Sequence, residues 1–293
     1  MKLSEMKQVL AAEEIQLTKS LGQNFLHDFN QLRRIVELAE LTPREKVLEI
    51  GPGLGPLTEL LIERAGEVLA IEKDARLVEI LKERLGIEQM ERNSKATEDG
   101  QKARLHLIHG DALEYLRRER GDWHDWKLVA NLPYSVASPI LVELAQSGMG
   151  PERMVTTLQL EVARRLSAQP NDEAYGVLSL LVQLDYEPRE WFKIPAGCFF
   201  PKPDVDSACI RLVRRPAPLL SPEQRPLFAR LVKRSFSQRR KMMLKLLKTE
   251  WPEEQLKTAF ALVSVAHDAR AETLSLQHFI RMTQLLAAGP RSV

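Results

Sequence analysis

Apolar-rich runs of five to eight residues recur through the first two thirds of the chain, separated by stretches in which apolar residues return every third or fourth position. "KVLEI" (46–50), "EVLAIE" (67–72), "LHLIHG" (105–110), "WKLVAN" (126–131) and "MVTTLQLE" (154–161) have the length and composition of buried strands. "PLTELLIERA" and "ARLVEILKERL", between them, have helical spacing. Strand and helix alternating in this way predict an α/β domain with a parallel sheet wrapped by helices. Two more strands, "YEPREWFKI" and "SACIRLVRR", follow without a clear helix between them and are expected as an antiparallel pair at the sheet edge. The polar stretch "GIEQMERNSKATEDGQKAR" (86–104) reads as a surface insertion.

"RRPAPLLSPEQRP", with four prolines, then breaks the pattern as a linker. Behind it, Ser221 and Gln224 have capping-box spacing, and Pro222 suits a first helical turn. Leu227, Phe228, Leu231, Val232 and Phe236 would form one apolar face of the helix that follows. The expected division is a first domain over 1–216 and a small all-helical domain over 217–293.

Charge sharpens this division. From Arg211 to Glu250 there are 12 Lys or Arg and two Glu; the rest of the chain holds 30 basic residues against 38 acidic. A basic block of this density suits a polyanion, although a solvated helix surface would carry similar charge. The chain's 293 residues include no apolar run of bilayer length, and its first 20 residues carry Glu5, Glu13 and Glu14 but no Arg, unlike a secretory or transit segment. Cys198 and Cys209 have no metal-ligand spacing. A cytoplasmic protein, without membrane or structural metal, is expected.

The chemistry gathers at the ends of the strands. "VLEIGPGLGPLTELL" sets Gly51, Gly53 and Gly55 between a strand and a helix, where the backbone can turn sharply and approach a ligand beside a helix N-terminus. Glu72 ends the next strand, placed to accept hydrogen bonds from ribose hydroxyls, and Asp111 follows the third, placed for an adenine amino group. The ligand that fits is S-adenosylmethionine, with a nicotinamide dinucleotide as the second reading. The fourth strand delivers Asn131-Leu132-Pro133-Tyr134. The Asn131 side-chain oxygen and the Leu132 carbonyl could accept both N–H bonds of an adenine amine, which localises its lone pair. Pro133 stiffens the turn, and Tyr134 offers a face for the base. A base used in this way must leave its stack. In "GCFFPKPDVDS" (197–207), Phe199 would supply a second flat wall and Phe200 would join the core.

With these residues assembled, the chain resembles the ribosomal RNA adenine dimethyltransferases of the kasugamycin-sensitivity family. "KSLGQNFLHD", "VLEIGPGLGPLT", "IEKDARL", "GDAL", "NLPYS", "YGVLSLLVQ", "FFPKPDVDSACIRL", "FSQRRK" and "ETLSLQHFIRM" match in order, from about Lys19 to Leu285. The resemblance implies a Rossmann-like class I methyltransferase fold with a small C-terminal helical domain. It implies transfer of four methyl groups to two adjacent adenosines near the 3′ end of small-subunit rRNA. The expected partner is that rRNA within the immature small subunit, and a monomer is expected because nothing in the sequence demands more than one chain. It implies a cofactor site of Asn24, Leu26, Gly51, Gly53, Glu72, Asp111 and Asn131, and a base site of Asn131, Leu132, Pro133, Tyr134 and Phe199. The sequence departs from the family at Ser20-Leu21, at Leu160 (where the family usually has Lys) and in the 86–104 insertion. Three rivals stay open: the sister group acting on a large-subunit adenine, an assembly factor whose catalysis is incidental, and a small-molecule methyltransferase.

Overall fold

The computed structural model describes residues 1–13, 22–86, 105–119, 121–238 and 240–288. Most of the 86–104 insertion, and Ser20-Leu21, therefore lie outside the described residues. By internal contacts the chain forms two compact units, Met1–Ala163 with Pro188–Arg214, and Arg164–Glu187 with Arg215–Val293.

The order of elements is α1 (Leu3–Ala12), β1 (Phe25–Leu26), α2 (Phe29–Ala39), β2 (Lys46–Ile50), α3 (Pro56–Arg64), β3 (Glu67–Glu72), α4 (Ala75–Leu85), β4 (Leu105–His109), α5 (Ala112–Glu119), β5 (Trp126–Asn131), α6 (Ala137–Gln146), β6 (Arg153–Gln159), α7 (Leu160–Ser167), α8 (Val177–Gln183), β7 (Tyr186–Ile194), β8 (Phe199–Phe200) and β9 (Ser207–Arg214). Then come α9 (Arg225–Ser235), α10 (Met243–Leu247), α11 (Glu253–Leu262) and α12 (Leu276–Ala287).

In the first unit the sheet runs β4-β3-β2-β5-β6-β9-β7. The first five strands pair in parallel, β9 joins β6 antiparallel, and β7 lies at the edge. Strands covered on both faces read as unbroken apolar runs rather than alternating ones, which is why "VLEI" in β2 is buried at every position. The helices begin and end on local signals. The Asp28 carboxylate accepts from Gln31 N–H and starts α2; Leu32, Ile35, Val36 and Ala39 then form its buried stripe. The carbonyls at the end of α2 meet a buried cation: Lys127 donates to Ala39 and Glu40 and pairs with Glu45 at 2.6 Å. Those partners offset the desolvation of its ammonium. The chain order reverses at β2 and β5, neighbours in the sheet whose following helices leave in opposite directions along it; ligands of such folds bind outside the strand ends at that crevice.

The second unit is helical. Phe228, Leu231, Val232, Met243, Leu247, Leu256, Phe260, Phe279 and Met282 are buried in it, and the Phe236 ring sits between Tyr175 and Phe279 at 6.1 Å from each. Arg225 grips Asp185 through a two-pronged pair of 2.7 and 2.5 Å, which ties 164–187 to the helices after 215. The first helix after the linker starts later than the capping-box spacing predicts. Ser221 N–H does donate to the Gln224 side chain, but the Ser221 hydroxyl turns to Glu223; Gln224 itself becomes the N-cap, and Pro226 rather than Pro222 occupies the first turn.

Candidate active site

The glycine turn after β2 needs its glycines for two reasons. Gly51 and Gly53 have φ of 70° and 61°, a region costly for residues with a Cβ. A Cβ on Gly51 would meet Pro133 Cγ at 3.0 Å, and one on Gly53 would meet the Phe25 ring at 2.7 Å. The turn thus packs directly against the loop that ends β5. Gly53 N–H donates to Glu72 Oε2 at 3.1 Å, and Asp74 N–H to Glu72 Oε1 at 2.9 Å. Burial pushes the Glu72 carboxyl up, and these backbone donors pull it back.

Asp111 divides its two oxygens. Oδ1 caps α5 through the N–H groups of Leu113 and Glu114, while Oδ2 takes the Lys73 ammonium at 2.8 Å. That ammonium holds the Asp111 carboxyl below the usual carboxylate range. Lys73 therefore joins the end of β3 to the end of β4.

Asn131 ends β5. Its Nδ2 donates to the Asn24 carbonyl at 2.9 Å. Its Oδ1 is buried and has no protein partner. Buried polar atoms are nearly always satisfied, and of the atoms left open among the described residues only this amide oxygen belongs to a residue lining the cleft beside the glycine turn, where it can accept from a ligand. Leu132 N–H donates to the Thr157 carbonyl of β6 at 3.1 Å, and the Tyr134 hydroxyl lies 2.5 Å from Ser207 Oγ. Burial raises the Tyr134 phenol, while the Ser207 bond opposes the rise.

Asn24, Gly51, Gly53, Glu72, Asp111, Asn131, Leu132, Pro133 and Tyr134 all line one cleft. Leu26 and Phe199 do not. They are 2% and 3% exposed and lie in the same apolar cluster. The cause is register: β1 and β8 pair antiparallel with Leu26 opposite Phe199 and Phe25 opposite Phe200. Side chains of paired residues share a side, so Phe199 follows Leu26 into the core. Phe200, expected in the core, is half-buried against α1 with the Lys7 ammonium 5.3 Å from its ring. Phe25, Lys73, Gln23 and Ser135 line the cleft without having been singled out from sequence. Strand alternation gave no signal for Phe25, since it would set Phe25 on the side opposite Asn24, which also lines the cleft; the "IEKD" motif contained Lys73 but gave no hint of its partner.

The arrangement combines a glycine cradle, an acid at each of two neighbouring strand ends and an open amide oxygen, a set of hydrogen-bond acceptors suited to S-adenosylmethionine beside a purine amine. Glu72 and Asp111 can accept from ribose and adenine, and Asn131 Oδ1 is still free for an N–H of the base. Among the described residues there is no cluster of three His, Cys, Asp or Glu able to hold a metal ion.

The chain shares this frame with known proteins over nearly all its length. It is 36% identical to the ribosomal RNA small subunit methyltransferase A of Latilactobacillus sakei subsp. sakei (strain 23K), over 97% of this chain and 94% of that one. It is 39% identical to the protein of the same name from Streptococcus pneumoniae (strain P1031), over 96% and 95%. Among solved structures it is similar to the 23S rRNA methyltransferase ErmE, with a TM-score of 0.64 and 27% identity, covering 90% of this chain and 99% of that one. The fold is also that of a dimethyladenosine transferase from Plasmodium falciparum, with a TM-score of 0.67 and 23% identity over 88% and 95%. The family model for ribosomal RNA adenine dimethylases matches residues 15–288, and with relatives of this identity and coverage the chain belongs to that family.

Proposed function

We propose that the protein transfers methyl groups from S-adenosylmethionine to the N6 atoms of two adjacent adenosines near the 3′ end of small-subunit rRNA, acting as a monomer in the cytoplasm during small-subunit assembly. The observation that carries this is the buried, unpartnered Asn131 Oδ1 beside the glycine turn. Asn24, Gly51, Gly53, Glu72 and Asp111 would hold the cofactor, which supplies an electrophilic methyl group on a sulfonium. Leu26, buried in the core opposite Phe199, has no part in the site, and Phe25 lines the cleft instead. Asn131 Oδ1 and the Leu132 carbonyl would accept the two hydrogens of the adenine amine, turning its lone pair toward the methyl carbon. Tyr134 would stack on the flipped base, a contact worth ~1–3 kcal/mol. No strong base is needed, because the methylated ammonium is acidic and loses its proton to water. The rate then depends on alignment.

The large-subunit reading has ErmE on its side, at 27% identity; the small-subunit relatives stand higher, at 36% and 39%. Labelled-methyl transfer to naked rRNA, immature small subunits and large subunits, followed by nucleoside analysis, separates the two. N6,N6-dimethyladenosine is expected from small-subunit RNA, and label confined to the large subunit would overturn the assignment. No helix among the described residues is long and apolar enough to cross a membrane.

The second unit supplies the polyanion contact in this proposal, through only part of its basic block. Arg230 pairs with Glu250 and lies over the Trp251 ring, and Arg234 donates to the Leu246 carbonyl. These two hold helices together. Arg239 lies outside the described residues. Lys233, Arg240, Lys241 and Lys245 are exposed and, among the described residues, form no ion pair. Changing these four to Gln is expected to weaken rRNA binding and to flatten the plot of log affinity against log salt by about 3 in slope, through lost counterion release. Filter binding over a salt series checks this; an unchanged slope would return the four to a solvated surface.

A further inference from the structure

The loop that ends β5 is tied down at three points. Asn131 reaches back to Asn24, Leu132 N–H bonds to Thr157 of β6, and the Tyr134 hydroxyl lies 2.5 Å from Ser207 Oγ. The third tie comes from far along the chain. Ser207 opens β9, is 0% exposed and pairs in register with Gln159 of β6; Cys209, two residues on, pairs with Thr157. The ladder that holds Leu132 therefore also sets the position of the Ser207 hydroxyl.

A tyrosine fixed only at Cβ moves among rotamers, and a base that stacks on it must first order the ring. A ring held at Cβ and at its phenol oxygen, its two far ends, has little of that freedom left. We infer that Ser207 is a positioning residue for the target base, holding Tyr134 in the orientation that lines the cleft before the adenine arrives. The inference rests on the adenine site proposed for Asn131–Tyr134 and deepens it. Ser207 touches neither base nor cofactor in this account; it acts through Tyr134. Its bond to Tyr134 also satisfies a partly buried phenol, so loss of rate alone would not distinguish positioning from simple upkeep of the fold.

A double-mutant cycle tests the coupling and the thermal midpoint separates the two accounts: positioning predicts a Ser207→Ala rate loss in protein that is still fully folded at the assay temperature, whereas a rate loss that tracks a partly unfolded population would overturn it. The full-length protein is compared as wild type, Ser207→Ala, Tyr134→Phe and the double variant. The readouts are single-turnover methyl transfer to small-subunit rRNA, affinity for S-adenosylhomocysteine, thermal midpoint and the tyrosine 13Cζ shift of Tyr134. Ser207→Ala is expected to slow transfer about five- to tenfold, the effect of one lost hydrogen bond, with cofactor affinity within about twofold. Tyr134→Phe is expected to slow transfer to a similar degree, and adding Ser207→Ala to it to cost nothing more. The Tyr134 13Cζ signal should move in Ser207→Ala. Losses that multiply in the double variant, or a Ser207→Ala rate equal to wild type, would overturn the inference while leaving the adenine site standing. A wild type that binds S-adenosylhomocysteine yet places no label in small-subunit rRNA would sink the adenine site and the inference together.

Discussion

Asn131→Ala is expected to lower single-turnover methyl transfer by about 10²–10³-fold, the range seen when one preorganised polar group is removed from a reacting centre. The alanine deletes both ends of the amide at once. The open Oδ1 is lost as an acceptor for the base, and Nδ2 no longer donates to the Asn24 carbonyl. The first loss leaves the adenine amine without one of its two acceptors, so its lone pair spreads back into the ring. The second frees the segment carrying Asn24 and Phe25, which also line the cleft. Binding to rRNA should stay within a few fold of wild type, because the exposed cations of the second unit are untouched. Retention of more than a tenth of the wild-type rate would be incompatible with the proposed role of Asn131. The same variant addresses the assembly-factor rival: growth and assembly defects equal to those of a full deletion would remove support for a role through binding alone.

The strands were legible because burial on both faces leaves a strong mark in the chain. "KVLEI", "EVLAIE" and "WKLVAN" are the observed β2, β3 and β5 to the residue. The residues at their carboxyl ends followed, since the fold class says where ligands bind. What sequence did not reveal depends on pairing between distant segments. Phe199 and Phe200 are adjacent and alike, and only the β1–β8 register decides which enters the core. The tie from Tyr134 to Ser207 spans 73 residues and has no local signature. The capping-box spacing at Ser221 is half realised: Gln224 accepts from the Ser221 N–H, but the Ser221 hydroxyl is taken by Glu223 instead of a helical N–H, and α9 starts later. Residues 164–187 group with the C-terminal helices through Asp185 and Arg225, again a contact over long range. The helix α1 has Met6 and Leu10 buried beside Phe25 and Leu77, and these two anchors make too sparse a stripe to stand out by spacing.

Glu49 yields the second large effect, on stability. It sits inside β2, one residue before the end of the strand, is 1% exposed, and keeps Oε2 buried without a partner. Burial pushes its carboxyl from 4.5 up to about 8, with the Glu72 charge adding to the rise and Thr58 opposing it. The sign follows from proton counting. Between pH 4.5 and about 8 the folded protein holds a proton on Glu49 that the unfolded chain has released, so stability falls as pH rises through this window, by about 1.4 kcal/mol per pH unit, and levels off above it. At pH 7 the deficit is about 3 kcal/mol. Glu49→Gln keeps the shape and removes the titration. The variant is therefore expected to gain on wild type as pH rises, with little change in their difference below pH 4.5 and the full gap by pH 8. Any fixed cost of burying the amide moves the whole difference curve up or down without altering its slope. Urea unfolding of both proteins without cofactor, from pH 4 to 9, measures that slope; a difference independent of pH would mean that Glu49 is ionised in the fold, with a counter-charge or water that neutralises the cost.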